Sequence, residues 1–175
     1  MDLTCIPAGP QPPEIVHAVI EIPRGSKNKY EYDPALGVFR LDRVLYSSMH
    51  YPAAYGFIPS TRADDGDCVD ILVMTSEATF TGCLIEARPI GVLRMRDGES
   101  EDEKVLAVPT RDPRFASLHD LTDVAPHVLK EIEHFFRSYK ELEGKVVATF
   151  GWQPRTTGLE MIRAALTDGP HRAAR

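Results

Sequence analysis

The chain has 175 residues, with 43% hydrophobic and 26% charged side chains, a balance that excludes a disordered chain and suits one domain. At this size a domain buries roughly 70% of its unfolded surface, so it needs no disulfide or metal staple to fold. Twenty-six acidic residues against 20 basic ones give a net charge of −6, which argues against nucleic acid or an anionic membrane as the main partner.

The three cysteines, Cys5, Cys68 and Cys83, are too few and too irregularly spaced for a disulfide framework, which points to a reducing cytoplasm. Residues 1–14 are proline-rich and lack the basic and apolar regions of a signal peptide, so they read as an extended arm. No apolar run approaches the roughly 18 residues needed to span a membrane.

Taken in chain order, the β-branched run 16–22 predicts a strand that ends at Pro23 and Gly25. Residues 29–32 and 38–41 predict two more strands around a turn at 33–37. Further strands are expected over 55–58, 69–74, 84–96 and 105–108. Apolar residues Val128, Ile132, Phe135, Phe136, Tyr139 and Leu142 recur every three or four positions and predict one helix over 126–142, with Pro126 in its first turn and Gly144 after its end. A closing strand over 145–150 follows. Thr157-x-x-Glu160 is a capping-box pattern for a short final helix, and residues 169–175 read as a flexible tail. Short strands followed by two helices predict an α+β fold with a small sheet or barrel as its core, as a single domain over 1–175.

The most informative segment runs from Asp64 through Asp70, where four aspartates crowd the mouth of an apolar strand. A lone Asp-Gly-Asp is an ordinary turn. Asp70, however, falls inside the strand itself. Two charges about 4 Å apart repel by about 1 kcal/mol in water and by more near a protein surface, so such crowding costs stability unless a cation neutralises it. Oxygen ligands favour hard divalent ions such as Mg²⁺ or Mn²⁺. An EF-hand loop is excluded, because counting from Asp65 puts Val69 and Ser76 where that loop needs ligands.

A second acidic stretch, Asp97 to Lys104, joins two predicted strands and includes Asp102. By itself it fits a hydrophilic loop. Glu21, Lys29, Glu31 and Arg43 form a third set. Lys29 and Glu31 share a strand face, which also suits a plain surface ion pair, and Arg43 can pair with Asp42. Tyr51, Tyr55 and Tyr139 fit core positions as well as ligand contacts, and Lys140 falls where a helix end favours a cation. Together, carboxylates for several hard cations beside Lys, Arg and Tyr donors suit a small polyanion such as a phosphoanhydride, attacked by an activated water.

From about Val16 to about Trp152 the chain resembles the soluble family I inorganic pyrophosphatases of bacterial type. Asp65-Gly66-Asp67-Cys68-Val69-Asp70 is similar to the family signature D-x-D-x-x-D. Glu21-Ile22-Pro23, Lys29-Tyr30-Glu31, Leu41-Asp42-Arg43, Tyr51 to Pro59, Asp97-x4-Asp102-x-Lys104 and Tyr139-Lys140 accompany it in the family's order. The resemblance implies a small closed five-stranded OB-like β-barrel with flanking C-terminal helices. It implies hydrolysis of pyrophosphate to two orthophosphates by in-line attack of water, with several Mg²⁺ ions as cofactor and Mn²⁺ or Zn²⁺ as substitutes. Asp65, Asp70 and Asp102 would hold the first ion, Asp97 and Asp102 would serve ions that arrive with substrate, and Glu31 and Glu21 would bind metal through water. Asp67 would take the proton from the attacking water. Lys29, Arg43, Tyr55, Lys104, Tyr139 and Lys140 would hold phosphate oxygens. The length resembles bacterial members, which implies a homohexamer. Cys68 departs from the family's usual proline, so a slightly looser loop with unchanged catalysis is expected. The rival reading is an OB-like module that binds nucleic acid or another ligand without catalysis, which a basic groove with stacking aromatics would favour.

Overall fold

The computed structural model describes residues 2–167; the tail expected over 169–175 lies outside them. Nine strands run Val16–Ile22 (β1), Asn28–Asp33 (β2), Val38–Val44 (β3), Ala54–Ile58 (β4), Val69–Val73 (β5), Leu84–Asp97 (β6), Ser100–Glu101 (β7), Lys104–Pro109 (β8) and Val147–Pro154 (β9). Two α-helices, Pro126–Ser138 (α1) and Arg155–Ala165 (α2), complete the α+β fold.

Strands β1, β4, β5, β8 and β6 pair in that order, and β6 pairs back onto β1, so five strands close into a ring. The closure suits an OB-like barrel and leaves the ring without a free edge. Its pairings are antiparallel except β5 with β8, which is parallel. The 14-residue β6 makes closure work by serving four neighbours: β1 along its start, β8 through its middle, and β9 and β7 along its end. A register shift between Pro89 and Gly91 accommodates the bend. Outside the ring, β2 and β3 form a separate hairpin. Its turn is closed by Gly37, at φ 67°, whose N–H donates to the Asp33 carbonyl at 2.8 Å.

Side-chain alternation sorts the core into two layers. Val16, Ala18, Ile20, Ala54, Ile58, Val69, Ile71, Val73, Ala87, Val105 and Ala107 come from all five ring strands and fill the barrel, with Ile162 of α2 packed against them. Many of these side chains are small, as a narrow barrel requires. The opposite face of the same strands, with Leu72, Leu93, Met95, Leu106 and Val108, packs on Ile132, Phe135 and Phe136 of α1.

Three local expectations are revised. The 126–142 periodicity spans two elements: α1 ends at Ser138, and a separate 3-10 turn covers Glu141–Glu143. Gly144, at φ 72°, closes that turn rather than α1, and Leu142 lies exposed instead of extending the apolar stripe. The capping-box pattern at Thr157 is not used, because α2 begins at Arg155, whose N–H donates to Asp120 Oδ2 at 3.2 Å. A carboxylate distant in sequence thus serves the helix start. Third, the N-terminal segment is not simply extended. It forms a 3-10 turn at Leu3–Cys5, the Leu3 N–H donates to the Tyr32 hydroxyl at 3.0 Å, and the Ser60 N–H donates to the Thr4 carbonyl at 2.7 Å.

Gly56 marks where β4 presses closest on β1: a Cβ there would lie 1.9 Å from the Val19 carbonyl oxygen. Both neighbours are backbone and cannot yield cheaply. Gly56→Ala is expected to lower unfolding stability by at least about 2 kcal/mol in urea denaturation, and a loss under about 0.5 kcal/mol would contradict this close approach.

Candidate active site

The alternation that builds the core also builds the site. Asp70 and Leu72 share one face of β5, Lys104 and Leu106 one face of β8, and Met95 and Asp97 one face of β6. On that outer face the apolar side chains sit under α1, and the polar ones project just beyond it. There they line a cavity of about 600 Å³.

Glu21, Lys29, Glu31, Tyr55, Asp65, Asp67, Asp70, Asp97, Asp102, Lys104, Tyr139 and Lys140 all line this cavity. Of the predicted site residues, only Arg43 does not. It lies on β3 beside Lys29 and is held by Asp42 Oδ2 at 2.6 Å and Glu143 Oε1 at 2.9 Å. Thr4 and Glu101 also line the cavity and were not anticipated. Thr4 carries no signal in the sequence, because only the folded-back N-terminal segment brings it there. Glu101 was one of several interchangeable acids in 97–104, and its place follows from the hairpin turn at Gly98, φ 63°.

The aspartate loop between β4 and β5 is shaped by its own hydrogen bonds. The Thr61 hydroxyl accepts from the Val69 N–H at 2.9 Å and donates to the Ile58 carbonyl. Asp65 Oδ1 accepts from the Asp67 N–H at 3.0 Å, and Gly66, at φ 94°, makes the turn between them. Cys68 packs against Val19, Tyr32 and Phe57, and burial pushes its thiol up to about 11. A thiol raised in this way is mostly protonated near neutral pH, which disfavours it as a nucleophile.

Eight carboxylates and three lysines line the cavity. Every lysine sits on a carboxylate: Lys29 on Glu31, Lys140 on Asp97, and Lys104 between Asp70 and Asp102. Burial of Lys104 disfavours its charge, but Asp70 and Asp102 outweigh this and raise its pKa, so it remains an ammonium. Asp67 has its pKa raised by partial burial and by Asp65, Asp70 and Glu31. Burial raises the pKa of Tyr55 and Tyr139 as well, with Asp70 and Asp102 adding to it at Tyr55, so both phenols are neutral O–H donors. Tyr139 also stacks on Phe135 at 5.2 Å, so it serves core and cavity together.

Among the described residues, no three Asp, Glu, His or Cys side chains stand close enough to hold a metal ion as they are. The ammonium groups lie between the acids. The donor chemistry nevertheless fits hard cations: the available ligands are carboxylate oxygens, and three lysines leave most of the negative charge uncompensated.

A family model described as inorganic pyrophosphatase matches residues 18–168. The chain belongs to the family I inorganic pyrophosphatases. It is 59% identical over 153 residues to an inorganic pyrophosphatase of Nostoc sp., covering 87% of this chain and 90% of that one. It is 55% identical over 162 residues to one of Synechocystis sp., covering 93% and 95%. The crystal structure of inorganic pyrophosphatase from Thermus thermophilus superposes with a TM-score of 0.93 at 47% identity, covering 95% of this chain and 97% of the other. Family membership thus agrees with the motifs, and the ring-closed fold with that of the solved pyrophosphatases.

Glu21 supplies a pH test. Burial pushes its carboxyl up to about 7 from an ordinary 4.5, against the opposing hydrogen bond from the Tyr32 N–H at 2.7 Å. The folded state therefore binds this proton more tightly than the unfolded chain, and the contribution to stability falls as pH rises through that window. In chelator, Glu21→Gln is expected to gain stability over the parent as pH rises from about 5 to 8, by up to about 3 kcal/mol, in denaturant titrations. A difference that does not change with pH would contradict the burial of this carboxyl.

Proposed function

We infer that the protein hydrolyses inorganic pyrophosphate to two orthophosphates. The observation that carries this reading is the single cavity where carboxylates from four separate chain segments meet three lysines and the neutral phenols of Tyr55 and Tyr139, in a chain of this family. The alternative of a nucleic-acid module is not favoured, since an acidic cavity repels a phosphate backbone that brings no divalent ions.

The proposed cofactor is several Mg²⁺ ions, with Mn²⁺ or Zn²⁺ as substitutes. Asp65, Asp70 and Asp102 would hold the first, Asp97 and Asp102 those that come with substrate, and Glu31 and Glu21 would contribute through water. When bound, such ions neutralise the diphosphate and bring the pKa of a coordinated water down to about 7.

The chain's own residues do the rest. Asp67 is the proposed acceptor for the proton of the attacking water, and its raised pKa brings it closer to that task. The water oxygen forms a bond to one phosphorus as the bond to the bridging oxygen breaks, with no phosphoenzyme. Lys29, Lys104 and Lys140 turn from their carboxylates to phosphate oxygens, Tyr55 and Tyr139 donate to the same group, and Arg43, outside the cavity in this structure, would join them by turning toward it. Positioning and charge compensation supply most of the acceleration.

The protein is proposed to work in the cytoplasm as a homohexamer. Three cysteines without disulfides support a reducing compartment, and no described helix is long and apolar enough to cross a membrane. Exposed Val38, Leu41 and Val44 on β3, with Phe150 on β9 and Val146 just before it, support association between copies.

Phosphate release from pyrophosphate tests the reading. Release is expected with Mg²⁺, to stop in chelator, and to fall at least about a hundredfold in Asp70→Asn. No release with Mg²⁺ present would overturn the function, and unchanged turnover in the variant would overturn the site.

A further inference from the structure

Glu143 lies outside every motif named above, yet its side chain is only 7% exposed. It ends the 3-10 turn that follows Lys140. Its Oε1 accepts from Arg43 Nε at 2.9 Å across 100 residues of sequence, while its own N–H donates to the Lys140 carbonyl at 2.9 Å. One residue thus ties two proposed phosphate-binding cations together, through its side chain and its backbone.

The tie matters because of what lies on its far side. The β2–β3 hairpin, which carries Lys29, Glu31 and Arg43, shares no ladder with the barrel sheet. Arg43 is held at Nη1 by Asp42, which is itself 3.5 Å from Lys29. Glu143 comes from the other body, the segment after α1. The third guanidinium nitrogen, Nη2, is buried and has no hydrogen-bond partner among the described residues. Arg43 also lies near enough to Tyr139, a cavity-lining residue, for its charge to act on that hydroxyl.

We propose that Glu143 is a positioning residue for pyrophosphate binding, which fixes the Arg43 guanidinium, and with it the β2–β3 hairpin, against the turn that carries Lys140. The proposal rests on the reading of Arg43 as a phosphate ligand. Glu143 touches no substrate; it acts through Arg43. An acid at this place is useful because a planar guanidinium held at two nitrogens has little freedom left to lose on binding.

The test is steady-state kinetics with Mg²⁺-pyrophosphate for the parent, Glu143→Ala, Glu143→Gln, Arg43→Ala and the Arg43→Ala/Glu143→Ala pair, with urea midpoints recorded for each. Glu143→Ala is expected to raise KM about tenfold while kcat changes less than about threefold. Glu143→Gln keeps an acceptor for Nε and should recover part of that loss; it also carries the comparison if the alanine variant folds poorly. In the Arg43→Ala background, Glu143→Ala should add less than about twofold. An unchanged KM in Glu143→Ala, or an equal increment with and without Arg43, would overturn the proposal. If Arg43→Ala itself leaves KM unchanged, the ligand role of Arg43 fails, and the positioning role falls with it. A urea midpoint lowered with KM unchanged would mark Glu143 as a purely structural tie.

Discussion

The structure depends on holding like charges together. Eight carboxylates share one cavity, and their mutual repulsion must be met inside the fold. Lys104 meets the heaviest part of it: its side chain is 3% exposed and lies between Asp70 and Asp102. A buried ammonium is expensive alone, and so are two close carboxylates, and together each offsets part of the other's penalty. Lys29 and Lys140 repeat the arrangement at the rim with Glu31 and Asp97.

The barrel makes this tolerable. Ring closure fixes the relative heights of β1, β4, β5, β6 and β8, so side chains of opposite parity serve opposite faces. Inward positions fill the barrel with Val, Ile and Ala; outward positions build the layer under α1 and then the cavity. Asp70 therefore sits two residues from Leu72 on one face, and neither can move without the strand. A site mounted on paired strands is held more closely than one on loops alone. The loops that do contribute are pinned: Thr61 ties both ends of the aspartate turn, and Gly144 closes the turn beyond Lys140.

Much of this was legible in the sequence, for definable reasons. Aspartates at the mouth of an apolar strand, and acids and bases two apart on a strand, signal through spacing, and the folded chain brings those segments to one cavity. The ring strands were legible from β-branched content. Long-range choices were not. The parallel pairing of β5 with β8 depends on how β6 folds between them. The break after Ser138 lies within an unbroken apolar rhythm, because Tyr139 stays in the core while the hydrogen bonding changes from four-residue to three-residue spacing. Arg43 keeps its sequence neighbour Asp42, as its position suggested, but its second partner, Glu143, could be found only in three dimensions. The start of α2 went unrecognised because its first N–H is served by Asp120 rather than by a nearby hydroxyl.

Lysines that occupy carboxylates give the site two uses for the same side chains. They restrain the repulsion in this structure, and in the proposed reaction they would be donors to the incoming diphosphate. Cations and substrate would then enter as coupled partners, since acids released by the lysines become ligands. The most direct measurement of this account is an equilibrium titration of Mn²⁺ without substrate, following free ion by electron paramagnetic resonance, on the parent and Asp70→Asn. The account predicts saturable binding of more than one ion per chain that weakens as carboxylates protonate below about pH 5, with at least one ion lost in the variant. Absence of saturable binding, or identical isotherms for the two proteins, would contradict it.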